Sequence, residues 1–322
     1  MTVLRDDRLQ DRFSLDAFVD DDDILLPLAE RAPHGALRLP DGRAMAWAEY
    51  GSARGLPCVL VPDAGSSRLA PGWLLHDDAL PAAIRLLAID RPGIGVSDPI
   101  GFGGTEQPAE DLRHLVETLA VGRVAMIGIG QGADDALAFA ARYPALVTSV
   151  SAVSVRLPAD RPEHRRVLRP FARRHAKRWA GPLAAWVAAA GKDADLTAQS
   201  TWTRMLGRLD PVSAQVLGDR WLEADFREAV AADAGQVNPA WTAPARPSGP
   251  APWAADAAAV RVPVTLWHGD HEDRTTLDAV QTLTEALPNW TVRPATGSSA
   301  ILGAWTGILG TAARSFPGVA AA

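Results

Sequence analysis

Cysteine is almost missing from this 322-residue sequence: one residue, Cys58, stands in the apolar run Pro57-Cys-Val-Leu-Val61. A single thiol cannot close an intrachain disulfide or build a cysteine-rich metal site, so Cys58 reads as a small core residue in a reducing compartment. Long hydrophobic runs are missing too. The longest apolar stretch, residues 181–191, is too short to span a bilayer, and the acidic N-terminus has no apolar signal-peptide core. A soluble, cytoplasmic protein without membrane contact is expected. Positive charge is not in excess, since the net charge is −6, which argues against a general nucleic-acid binder, because that role needs a basic face to displace counterions from phosphates. No metal or cofactor is expected, and no internal repeat is found.

What is present fits a globular protein. Hydrophobic residues make up 48% and charged residues 22% of the chain, the balance of a folded domain with a solvated surface. The length suits one large core with an insertion. Abundant alanine, glycine and proline resemble the composition of proteins from high-GC bacteria.

Residues 1–34 alternate acidic and apolar patches and read as an N-terminal extension. Two strands, over 37–40 and 43–50, are expected to form a hairpin through Asp41-Gly42, with the positive φ of a type I′ turn. Apolar runs at 58–61, 85–89, 123–127, 147–155 and 262–267 read as buried strands, and 290–293 as the last strand. Helical patterns lie over 111–119, 133–142, 276–287 and from 301 onward. Strands alternating with helices predict a doubly wound, mostly parallel sheet built from residues 35–155 and 259–322. Residues 156–258 between them, helical and holding six of the eleven tryptophans, read as an inserted helical lid. Those rings either pack the lid onto the sheet or line an apolar pocket, for which Trp202 is the candidate.

Five ordered motifs carry a family resemblance. Val61-Pro-Asp-Ala-Gly-Ser-Ser-Arg68 is similar to an oxyanion loop, Asp90-Arg-Pro-Gly-Ile-Gly-Val-Ser-Asp98 to an Asp-x-Pro-Gly-x-Gly-x-Ser turn, and Gly128-Ile-Gly-Gln-Gly132 to a nucleophile elbow. Trp267-His-Gly-Asp-His-Glu-Asp-Arg274 resembles the loop that presents the acid, and Pro294-Ala-Thr-Gly-Ser-Ser299 the final histidine segment. Together they resemble the α/β-hydrolase superfamily, which implies that fold and a Ser, Asp or Glu, His triad. Against that pattern the nucleophile position is Gly130 and the base position is Ser298, or Ser299 if the loop slips by one. No histidine follows His271. Glycine has no heteroatom to form an acyl-enzyme, and a serine hydroxyl is not basic enough to replace histidine.

The resemblance leaves several candidates. Asp63, which with Pro62 replaces the family's His-Gly, is either a general base facing the pocket or a turn cap bonded to Ser66, Ser67 or Arg68. The backbone N–H groups of Ala64 and Gln131 correspond to the oxyanion donors and would bind a carbonyl or enolate if Asp63 points away or is protonated. The Gln131 side chain contacts ligand or solvent. His271 in the acid loop either serves acid–base chemistry or is a solvent-exposed loop histidine, while Glu272 and Asp273, either of which stands at the acid position, hold a water or a substrate hydroxyl or are remnants. Asp134 and Asp135 are read as structural residues of the first helical turn. The basic residues Arg161, Arg165, Arg166, Arg169, Arg173, Arg174, Lys177 and Arg178 form either a docking face for an acidic carrier protein or a solvated helix face. The function expected first is a lyase, cyclase or isomerase acting on an apolar small molecule in secondary-metabolite biosynthesis. A ligand-binding protein without turnover and a hydrolase that activates water directly are the alternatives.

Overall fold

The computed structural model describes residues 34–63, 65–75, 83–100, 107–155, 182–191, 193–209, 211–237, 257–269, 281, 284–285, 287–295 and 300–318. Eight strands form one sheet in the order β1-β2-β4-β3-β5-β6-β7-β8. They are β1 (His34–Arg38), β2 (Ala44–Gly51), β3 (Leu56–Val61), β4 (Ile84–Ile89), β5 (Val124–Ile129), β6 (Val147–Val153), β7 (Val264–Gly269) and β8 (Trp290–Ala295). Strand β2 runs antiparallel to β1 and to β4, and the remaining neighbours are parallel. The central strands are buried on both faces, which explains why they read as continuous apolar runs rather than alternating ones.

The strand period of two divides the core. Cys58, Leu60, Leu86, Ala88, Ala125 and Ile127 join one hydrophobic cluster, while Val59, Val61, Leu87, Ile89, Val124 and Met126 join a second on the opposite face. Helices α1 (Pro71–Leu74), α2 (Gln107–Thr118) and α3 (Gln131–Arg142) follow β3, β4 and β5. The second cluster is covered by α2 and α3 through Leu112, Leu115, Leu137 and Phe139. The first is covered by α1 and by the C-terminal helix α8 (Ala300–Arg314).

Between β6 and β7 the described helices are α4 (Pro182–Ala190), α5 (Gln199–Leu206), α6 (Pro211–Leu217) and α7 (Ala224–Gly235). Their apolar residues Leu183, Trp186, Trp202, Met205, Leu217 and Phe226 belong to the same cluster as the sheet face. Trp186 stacks edge-on against Trp73 of α1 and Trp202 of α5, with ring centroids 5.4 and 5.6 Å apart. Arg227 fastens the helices to each other, its guanidinium donating to the carbonyls of Thr197, Trp221 and Leu222.

The first hairpin departs from expectation. The N–H of Gly42 donates to Leu39 C=O at 2.9 Å and the N–H of Leu39 to Arg43 C=O at 2.7 Å, with Gly42 at φ 89° and no positive φ at Asp41. This is a three-residue loop with glycine in the left-handed position, not a type I′ turn. Pro40 favours it, since its ring fixes a negative φ and suits the first central position of a type I turn. Of the helix expected over 276–287, Gln281, Thr284, Glu285 and Leu287 are described; the first three are helical and Leu287 is not. No helix among the described residues is long and apolar enough to cross a membrane.

Candidate active site

Strand β5 ends at Ile129 and α3 begins at Gln131, so a single residue, Gly130, turns the chain from strand to helix. It does so at φ 53°, ψ −115°, a conformation that costs a residue with a Cβ about 1–3 kcal/mol. The flanking glycines let α3 lie close to the sheet. A Cβ on Gly128 would stand 2.5 Å from Ala133 Cα, and one on Gly132 would stand 2.1 Å from the Val61 carbonyl oxygen.

Asp63, two residues beyond the end of β3, reaches across this turn. Its Oδ1 accepts the Gln131 N–H at 2.9 Å. A Cβ built on Gly130 would lie 2.4 Å from Asp63 Oδ1 and 2.6 Å from its Cγ. The carboxylate therefore fills the volume into which a side chain at the elbow would project. It is 6% exposed, and the N-terminal end of α3 supplies the favourable field for a negative group. The partners foreseen for a turn cap are engaged elsewhere. The Ser66 and Ser67 hydroxyls donate to Asp233, and Arg68 donates to Asp90 and Gln236. The Gln131 N–H, foreseen as a donor to a substrate carbonyl, is instead taken by Asp63.

Arg91, which the sequence reading passed over as part of the Asp90 turn, belongs to this constellation. Its Nε and Nη2 each lie 2.9 Å from Asp135 Oδ2, and its Nη1 is 3.5 Å from Gln131 Oε1. Burial disfavours its charge, yet Asp135 first, then Asp63 and Asp134, hold the guanidinium above its ordinary range. Asp134 and Asp135 are both buried in the first turns of α3, and Asp135 has the structural role expected of it through Arg91. Asp63, Arg91 and Gly130 follow β3, β4 and β5 respectively, so the site lies at the carboxyl ends of parallel strands, where open α/β sheets bind ligands.

Two loops flank the elbow, and one helix end joins them. Asp233 of α7 is fully buried and accepts the Ser66 Oγ–H at 2.5 Å, the Ser67 N–H at 2.7 Å, the Ser67 Oγ–H at 2.6 Å and the Trp73 Nε1–H at 2.8 Å. Burial raises its pKa to about 6 against the opposing effect of those donors. The second loop is built around Asp90, which accepts from Arg68 Nη1 at 2.6 Å, Arg68 N–H at 2.8 Å and Val96 N–H at 3.2 Å. Gln236 touches both, through Arg68 Nη1 at 3.2 Å and through its carbonyl to Gly95 N–H at 2.9 Å.

Trp202, foreseen as a pocket residue, is fully buried, with its indole N–H donating to Leu196 C=O at 2.6 Å and its ring against Trp186 and Phe226. This is the packing role, which saturates the polar edge of the ring. Ala64, His271, Glu272, Asp273, Ser298, Ser299 and the basic run at 161–178 lie outside the described residues. Among the described residues no group of three or more His, Cys, Asp or Glu side chains is placed to hold a metal ion.

Comparison with known proteins now decides the family. The family model described as "alpha/beta hydrolase fold" matches residues 65–302. The chain belongs to the α/β-hydrolase fold family. Over 114 residues, 35% of this chain, it is 31% identical to the dihydrolipoyllysine-residue acetyltransferase component of an acetoin cleaving system from Pseudomonas putida, 30% of whose length is matched. Over 86 residues, 25% of this chain, it is 36% identical to a 2-hydroxy-6-oxononadienedioate/2-hydroxy-6-oxononatrienedioate hydrolase from Burkholderia vietnamiensis, again over 30% of that protein. The chain thus matches less than a third of the length of these curated relatives. The thioesterase domain from the curacin biosynthetic pathway superposes with a TM-score of 0.57 at 16% identity, over 86% of this chain and 98% of that domain. At that identity the likeness speaks for the fold.

Proposed function

We propose that this α/β-hydrolase-fold chain has a degenerate triad and works by carboxylate base chemistry: a lyase, cyclase or isomerase acting on an apolar small molecule, with Asp63 as its base. One observation carries the reading. The Asp63 carboxylate sits in the volume of the missing nucleophile side chain, 2.9 Å from the Gln131 N–H. Acyl transfer needs a nucleophile at the elbow and an unoccupied donor for the oxyanion. Here Gly130 supplies no nucleophile and the carboxylate occupies the donor. A carboxylate held by a backbone N–H within a largely buried site suits abstraction of a proton α to a carbonyl, followed by elimination or ring closure. Gln131 and Arg91 then orient the base rather than the substrate. The natural-product setting and an acidic carrier protein docked on residues 161–178 belong to the same proposal.

Asp63→Asn tests it, because asparagine keeps an acceptor for the Gln131 N–H and removes the base. Incubated in D2O with a panel of enolisable ketones and thioesters, the wild-type chain should catalyse deuterium incorporation. Asp63→Asn should be slower by about 10²–10⁴-fold. Equal exchange by both proteins on a substrate that the wild type turns over would remove Asp63 from the chemistry.

A second reading has its own support: two of the curated relatives and one structural neighbour are named as hydrolases. In it the Asp63 carboxylate, or Glu272, Asp273 or His271, activates a water directly on an ester or epoxide. Turnover in H2¹⁸O separates the two, since hydrolysis places ¹⁸O in the product and proton abstraction does not.

A further inference from the structure

Asp233 lies 170 residues along the chain from Asp63, yet it grips the loop that carries it. Its two oxygens accept four hydrogen bonds, three of them from consecutive residues of that loop, Ser66 and Ser67, and the fourth from Trp73. Four is the full acceptor capacity of an ionised carboxylate. One backbone bond links the grip to Asp63, the Ser66 N–H donating to Asp63 C=O at 3.1 Å, and on the far side of the grip the Leu69 N–H donates to Ser67 Oγ and the Ala70 N–H to Ser67 C=O, each at 3.1 Å. Displacing Ser66 therefore displaces the Asp63 backbone, and with it the carboxylate above Gly130.

We propose that Asp233 is a positioning residue, which through Ser66 and Ser67 fixes the loop so that the Asp63 carboxylate stays seated over the elbow. Its value to the reaction rests on the reading of Asp63 given above, but its grip on the loop does not. Protonating Asp233 alters the arrangement by simple counting. The added proton needs an acceptor where all four neighbours are donors. Either serine oxygen can accept it, but only by turning its own hydroxyl proton away from Asp233.

Among the described residues, the titratable and charged groups linked to Asp233 are Tyr50 of β2, Arg68 of the loop and Asp90 at the end of β4. Tyr50 is pushed upward by burial first and by Asp233 second, and it stays a phenol whose O–H donates to Arg68 C=O at 3.1 Å. Arg68 and Asp90 hold each other at 2.6 Å.

Two-dimensional ¹H–¹⁵N spectra across pH 4.5–8 test the proposal without any substrate. The assigned indole N–H of Trp73 reports on Asp233 directly, and the assigned backbone N–H of Gln131 reports on the seating of residue 63. In the wild type both should shift with one midpoint near 6. In Asp63→Asn, where residue 63 no longer ionises, the Gln131 transition at the Trp73 midpoint should persist. In Ser66→Ala, which removes a donor that favours the ionised form, both midpoints should rise together by about half a pH unit or more. A Gln131 resonance that stays still while Trp73 titrates, or that loses its transition in Asp63→Asn, overturns the proposal. Failure of the base reading would appear elsewhere, as unchanged turnover in Asp63→Asn with the two resonances still moving together.

Discussion

The two loops beside the elbow are each held by a fully buried aspartate, and the two are held by different means. Asp90 has a guanidinium against one oxygen and backbone N–H groups on both, and the guanidinium is that of Arg68, next to Ser67, so the pair ties the two loops together. Asp233 is held by hydroxyls, one backbone N–H and an indole N–H, all uncharged. Neutral donors satisfy the geometry of a carboxylate without repaying the cost of removing its charge from water. Burial raises the pKa of both carboxyls, against Arg68 at Asp90 and against neutral donors alone at Asp233, which is pushed up to about 6. The loop of Ser66, Ser67 and Arg68 is thus fastened twice, by a pair of charges at Arg68 and by a group at Ser66 and Ser67 whose charge is lost as the pH falls through about 6.

Removing the countercharge is the harshest way to break this contrast. Arg68→Met should cost about 3–5 kcal/mol in chemical denaturation, because Asp90 would remain buried without its partner. A loss below about 1 kcal/mol would mean that the backbone N–H groups alone hold Asp90. Next comes Gly130→Ser, expected to destabilise by about 1–3 kcal/mol from backbone strain and to show no esterase activity in an ester-hydrolysis assay. Measurable hydrolysis by that variant would contradict both the alignment and the seating of Asp63. The mildest test sharpens the comparison through pH. The folded chain keeps the Asp233 proton up to about pH 6, whereas an unperturbed aspartate releases it at 3.8. This contribution to stability is therefore complete below 3.8 and is lost as pH rises through 6. Unfolding free energies of wild type against Asp233→Asn should show a difference that falls by at most about 1.4 kcal/mol per pH unit between 3.8 and about 6 and levels off above that. A flat difference would show that the neutral donors offset the burial of the Asp233 charge.

Much of the scaffold was legible in the sequence because it rests on local signals. Continuous apolar runs marked β3 to β7, and the spacing of Gly128, Gly130 and Gly132 marked the strand-to-helix turn. Asp63 was found by its place in a motif, but motif order did not imply that its carboxylate stands against Gly130 and takes the Gln131 N–H. The turn at Pro40-Asp41-Gly42 was misjudged because Asp-Gly outweighed the proline before it. Arg91 was overlooked because a turn motif explained its neighbours so well that its own side chain went unexamined. Asp233 left no trace at all. A lone acid near the end of an alanine-rich helix looks like any solvated residue, and its four donors lie between 160 and 167 positions away. Trp202 shows the same limit from the other side: ring composition announces burial but does not say whether the neighbours are a ligand or Trp186 and Phe226.

The overlap between residue 63 and the space above residue 130 has an evolutionary consequence. Because one volume holds either a carboxylate from the β3 loop or a side chain from the elbow, the two positions are epistatic. A serine at 130 is tolerated only on a background where residue 63 has become small or has swung away. Such a background would also free the Gln131 amide. A serine at 130 therefore requires a change at residue 63 as well, and serine chemistry would still need a histidine base that the sequence after His271 does not supply.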